Sequence, residues 1–103
     1  MAKPFQYHFE WDSSKARQNL RKHGLTFERA ASIFQDPDAL SEFDEYHSEQ
    51  EERWITLGLD NGGSLLAVVH TFEQVNEEVY RIRIISARKA EPLEVMQYEE
   101  HNR

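Results

Sequence analysis

At 103 residues and 12.2 kDa, 39% apolar and 12% aromatic, the chain can bury roughly two-thirds of its unfolded surface, so residues 1–103 read as one domain. With no cysteine, CxxC or HExxH there is no basis for disulfide, thiolate or metal chemistry, and neither a metal nor another cofactor is expected. No run of 18 apolar residues and no signal-peptide core occurs, so the expectation is a cytoplasmic protein without a membrane span.

Twelve Lys and Arg against 19 acids give a formal charge of -7, which argues against a uniformly basic nucleic-acid binder. The charges are segregated, however. Residues 42–52, 73–78 and 91–100 are acid-rich, whereas 15–22 and 81–89 are basic. A role on RNA or DNA must use such a local patch, and an acidic rim can receive a basic protein partner.

Residues 5–11 alternate Phe5, Tyr7, Phe9 and Trp11 with Gln6, His8 and Glu10, which predicts a strand with four core aromatics. Asp12 or Ser13 caps a first helix over about 14–23, with Ala16, Leu20 and His23 on one face and Gly24 as the stop. The opposite face carries Lys15, Arg17, Arg21 and Lys22, a stripe that solvation alone can explain. Thr26 caps a second helix with Glu28 in its first turn. Phe27, Ala30, Ala31 and Phe34 follow helical spacing until Asp36-Pro37-Asp38 ends it. As a helix-turn-helix reader that helix offers bases only Arg29 and Gln35, which argues against DNA recognition.

Residues 39–46 give a weaker strand pattern, and 47–53 a polar connection. Runs 54–59 and 65–72 flank Asp60-Asn61-Gly62-Gly63 and predict a hairpin. After a polar turn at 74–78 the chain returns as a strand over 79–87, so 54–87 reads as a three-stranded meander. Pro92 opens a last helix carrying Leu93, Val95, Met96 and Tyr98. The class is α+β, an antiparallel β-sheet packed by two N-terminal helices and a C-terminal helix.

The return strand concentrates the cations. Alternation sends Tyr80, Ile82, Ile84 and Ser86 one way and Val79, Arg81, Arg83 and Ile85 the other. Two arginines on one face need an anionic partner, either acids on a neighbouring strand or a substrate. Arg88 has the opposite parity and joins them only if the strand bulges or ends by Ala87. Of the histidines, His47 lies in the polar connection among Ser48, Glu49 and Arg53, where an imidazole can act as acid or base. His23 at a helix C-terminus fits a dipole interaction, and His70 shares a face with Leu66 and Val68 as a core or edge residue.

Phe9-Glu10-Trp11-Asp12, Lys15-Ala16, Asn19, Lys22-His23-Gly24, Phe27-Glu28, Ala30-Ala31, Phe34 and Asp36-Pro37 occur in that order. They are followed by His47-Ser48, Glu51-Glu52-Arg53, the run Arg83-Ile84-Ile85-Ser86-Ala87-Arg88-Lys89-Ala90, and then Glu94 and Tyr98. This series, from about Phe9 to Tyr98, resembles the BrnT family of type II toxin–antitoxin toxins. Leu25 and His70 depart from it, standing where valine and tyrosine are common.

The resemblance implies a RelE-like fold and a ribonuclease that cleaves RNA without a metal, inhibiting translation and growth. It implies a BrnA-type antitoxin partner in a hetero-oligomer, which reaches operator DNA through the antitoxin and represses its own operon. Under it, Arg83 and Arg88 foremost, with Arg81, would grip the scissile phosphate. His47 or His23 would move protons, Glu52 or Glu49 would be an alternative base, and Lys89, Lys22 and Arg53 would hold RNA. The alternative is a non-catalytic binding module, a corepressor that has kept the toxin fold.

Overall fold

A computed structural model describes residues 6–103. The chain runs β1 (Gln6–Glu10), α1 (Ser13–His23), α2 (Phe27–Ser32), a 3-10 turn (Ile33–Gln35), β2 (Leu40–Phe43) and a second 3-10 turn (Glu45–His47). It continues through β3 (Trp54–Leu59), β4 (Leu65–His70), β5 (Glu73–Gln74), β6 (Val79–Lys89) and α3 (Pro92–His101). The α+β class holds, with three helices on a six-stranded sheet of order β1-β6-β4-β3-β2, in which β5 also pairs with β6. The sheet is mixed rather than antiparallel. β1 runs parallel to β6, from Gln6 opposite Val79 to Glu10 opposite Arg83. A helical layer separates β1 from the rest of the sheet in sequence, and a long crossover of this kind permits parallel pairing.

The local punctuation is as the sequence indicates. The Asp12 side chain accepts from Lys15 N–H at 3.0 Å to start α1, and Gly24 closes it at φ 69°. Thr26 accepts from Arg29 N–H at 3.2 Å to start α2, whose last turn tightens to 3-10 before Asp36. α1 is nevertheless turned so that Leu20 is exposed and Asn19 is buried. The Asn19 amide donates to the carbonyls of Leu25 and Ala87 at 3.1 and 2.9 Å and accepts from Ala87 N–H at 3.0 Å. It therefore ties α1 to β6 by its main chain.

The core lies between the helices and one sheet face. Leu25, Phe27, Ala30, Ile33, Leu66, Val68, Ile82, Ile84 and Ala87 form it, with Phe9, Trp11 and Phe34 packed alongside. Of the four aromatics expected in the first strand, Tyr7 is exposed, Phe9 and Trp11 are half-buried, and Phe5 lies outside the described residues. Gly58 is needed at the seam between β3 and the helical layer, because a Cβ there would sit 3.0 Å from Ile33 Cβ and 3.1 Å from its carbonyl. At the hairpin tip Asp60 accepts from Gly62 and Ser64 N–H, both at 2.9 Å, and takes the Arg29 fork at 3.0 and 2.7 Å.

One irregularity re-aims β6. His70 pairs with Ile84 and Val69 with Ser86, so Ile85 is an extra residue, a bulge. Before it the even positions Ile82 and Ile84 are buried; after it Ala87 is. Arg88 is thereby turned to the sheet face that also carries Arg81 and Arg83. α3 covers part of this face near β3, and its capping box joins Glu91 and Glu94 at the first turn. Among the described residues no helix is long and apolar enough to cross a membrane.

Candidate active site

Two concave regions meet at Glu51 on the sheet face away from the core. One, about 280 Å³, is lined by Arg81, Arg83, Glu10, Glu52, Thr71 and Glu73 besides Glu51. The other, about 260 Å³, is lined by His47, Glu49 and Arg53 among others, again with Glu51. The loop that delivers Glu51 has a tied base. Ser48 Oγ donates to the Asp44 carbonyl and accepts from Arg53 N–H at 3.0 Å, while Asp44 N–H donates to the Arg53 carbonyl at 2.8 Å.

Glu51 is held by two guanidinium groups. One of its carboxylate oxygens takes a hydrogen bond from Arg83, and the other lies 3.6 Å from Arg53. The bond from Arg83 is the main reason the Glu51 carboxyl stays below its ordinary range. Arg53 Nε is buried without a hydrogen-bond partner, an uncommon condition for a guanidinium donor. Arg81 lies nearby on the same face and reaches Glu73, across the β5–β6 pair at 3.5 Å.

His47 is exposed at the end of a 3-10 turn, but its orientation is fixed. Its Nδ1 lies 2.9 Å from Oδ2 of buried Asp44. A carboxylate facing Nδ1 holds a proton there, and Nε2 is left toward solvent for proton transfer. The constellation therefore contains a carboxylate-held imidazole, carboxylates at Glu51 and Glu52, and three arginines. Those are the parts that proton transfer and stabilisation of a dianionic phosphorane require.

A sequence model of the family described as "Ribonuclease toxin, BrnT, of type II toxin-antitoxin system" matches residues 11–94. The chain belongs to the BrnT toxin family. The crystal structure of the Brucella abortus ribonuclease toxin BrnT, at 1.1 Å, is similar to it at 26% identity and a TM-score of 0.50, over 79% of this chain and 92% of that one. No match was found among curated proteins. The BrnT assignment makes this chain a ribonuclease toxin of the type II toxin–antitoxin class.

Of the residues expected in a BrnT site, His47, Glu52, Arg53, Arg81 and Arg83 share this surface. Arg88 is on the same face but five residues along β6, about 16 Å at ordinary strand rise. Its fork is closed on Glu94 of α3 at 2.6 and 3.1 Å. Lys89 pairs across the sheet with Leu66 at the far end of the strand. His23 and Lys22 line a different hollow with Lys15, on the α1 side. Asp44 and Glu51 were not singled out as functional from sequence. The one local signal for Asp44 is its i, i+3 spacing to His47; Glu51 becomes distinct from Glu49 and Glu52 only once the loop is folded.

Proposed function

We propose that this chain cleaves single-stranded RNA by a metal-independent transesterification at the Glu51 site. The observation that carries the reading is one carboxylate, Glu51, shared between Arg83 and Arg53 beside the Asp44-held His47. Glu51 stands where a phosphate would lie, since a carboxylate and a phosphate present the same paired oxygens to an arginine fork. An entering phosphodiester displaces it. Glu51, or Glu52 beside it, then takes the 2′-hydroxyl proton as the 2′-oxygen bonds to phosphorus. Arg83, Arg53 and Arg81 balance the phosphorane's charge. As the bond from phosphorus to the 5′-oxygen breaks, His47, entering the step as an imidazolium with Nδ1–H held by Asp44, gives that oxygen its Nε2 proton, leaving a 2′,3′-cyclic phosphate and a 5′-hydroxyl.

The wider reading is a RelE-like, cytoplasmic toxin that stops translation until a BrnA-type antitoxin binds it. The hetero-oligomer then represses its operon through the antitoxin's DNA contacts. Acidic stretches 42–52 and 73–78 offer a surface for basic antitoxin segments. Alanine changes across them that left antitoxin affinity intact would remove this part of the reading.

The central test is labelled RNA incubated with purified wild-type or Arg83→Ala protein in excess chelator. Cyclic-phosphate ends from wild type alone are expected. Equal cleavage by both moves the site elsewhere. An intact RNA pool and normal growth, with soluble folded protein, favour the non-catalytic corepressor.

A further inference from the structure

A cavity of about 530 Å³ lies on the core side of the sheet beyond the last turn of the helical layer. Its walls are aromatic: Tyr7, Phe34, Trp54 and Phe72. Phe34 meets the His70 ring edge-on at 4.9 Å, and Phe72 stacks on Tyr80 at 4.9 Å. Phe72 also lines the arginine groove with Arg81 and Arg83, so the two spaces adjoin at this residue. A nucleotide spans such a junction, with its phosphate on one side and its base on the other.

The polar groups of the cavity are ordered in one direction. His70 is 2% exposed, and its Nδ1 lies 2.9 Å from the Thr71 carbonyl, which can only accept. Nδ1 must carry the proton there. Burial also pushes the imidazole's pKa down, so the ring is neutral and Nε2 is an acceptor. The Thr56 hydroxyl, 2.6 Å away, therefore donates to Nε2 and has only lone pairs for Ser41 Oγ at 2.7 Å. The Ser41 proton is committed to Thr56 in turn, and Ser41 has only acceptor capacity left for a ligand. Asp36 is a second acceptor. Burial alone would raise its pKa, but bonds from Leu59 N–H, Tyr98 and Asp38 N–H hold it low, as a carboxylate. Its Oδ1 takes the Asp38 N–H at 2.9 Å and no other hydrogen bond among the described residues, and so has a lone pair to spare. An aromatic slot with acceptors at its edge suits a flat ring bearing N–H donors.

We propose that this cavity is a base-specificity pocket that takes a nucleobase bearing N–H donors on its pairing edge, guanine foremost, next to the phosphate held by Arg83. The inference rests on the ribonuclease reading for the substrate's chemistry, and its test does not depend on cleavage. In a Trp11→Phe background Trp54 is the only indole, and its fluorescence can be titrated with GMP, IMP, AMP, CMP and UMP. GMP should bind tightest. IMP, which lacks one amino donor, should be weaker by about tenfold, and UMP weakest. Phe72→Ala should weaken every base about tenfold through lost stacking, and Ser41→Ala, on an exposed edge, should narrow the GMP-to-IMP ratio. Guanosine without its phosphate should still quench Trp54 in Arg83→Ala protein. Equal affinity for all five nucleotides, or no quenching by guanosine, overturns the pocket even if RNA is cleaved. Quenching in the expected order with no RNA cleavage keeps the pocket and removes the ribonuclease reading instead.

Discussion

Two of the arginine–glutamate pairs on one face of β6, Arg83–Glu51 and Arg88–Glu94, are built for opposite purposes. Arg83 shares Glu51 with Arg53, and Glu51 comes from a loop whose backbone is tied at its base. Arg88 makes a two-pronged bond to Glu94, and Glu94 also accepts from Glu91 N–H at 2.9 Å in the capping box of α3. The Glu94 bond and charge raise the Arg88 pKa, and the Arg88 bond lowers that of Glu94. A loop carboxylate can leave its arginine when a stronger anion arrives. One locked in a helix start, with both oxygens engaged, cannot leave without unwinding that start. The same pair of residue types thus makes a replaceable anion at one end of the strand and a rivet at the other.

The sharpest way to break this comparison is at the open pair. Arg83→Ala and His47→Ala should each lower RNA cleavage by about 10²-fold or more, with only a small change in the unfolding midpoint, since the His47 side chain is largely exposed and Arg83, though mostly covered, pairs with a partly exposed loop carboxylate. A single-turnover cleavage assay beside a denaturant curve separates the two quantities. Glu94→Ala should do the reverse, costing about 1–2 kcal/mol of stability after allowance for the half-exposed guanidinium and leaving cleavage within about threefold. A large catalytic loss there would make Arg88 a substrate contact.

A smaller effect concerns acid. His70 has its pKa lowered by burial, so the unfolded chain binds a proton that the folded chain refuses. Stability contributed by neutral His70 is complete above the unfolded value near 6.5 and declines as pH falls below it. His70→Gln should flatten the dependence of the urea midpoint between about pH 6.5 and 5, above the range where carboxylates begin to protonate. An unchanged slope would assign it to other groups.

Much of this architecture is written locally. Asp12, Gly24 and Thr26 punctuate the helices, and Asp60-Asn61-Gly62-Gly63 marks the hairpin, because each acts on backbone within four residues. Strand direction is not local. The alternation of β1 is the same whichever way its partner runs, and hence the parallel pairing was not legible. The Ile84-Ile85 doublet shows where a phase change is possible, but only Val69 and His70 opposite make it a bulge. The arginines of the site could be read from their strand. Their anion could not, since residues 49–52 offer three glutamates and loop geometry alone selects Glu51.

The Asn19 amide has a consequence beyond tying α1 down. By giving and receiving a hydrogen bond at Ala87 it does what a neighbouring strand would do, just past the point where β1 stops at Arg83. Ala87 is itself buried, so the amide closes the rim of the sheet where α1 covers it. Without that side chain, the Ala87 N–H and C=O groups would be buried and unpaired, and another chain would reach them only once α1 lifted away, when such rims seed self-association. Asn19 therefore guards solubility by keeping α1 seated, so Asn19→Ala should loosen that helix and precipitate at concentrations where the wild type stays dispersed.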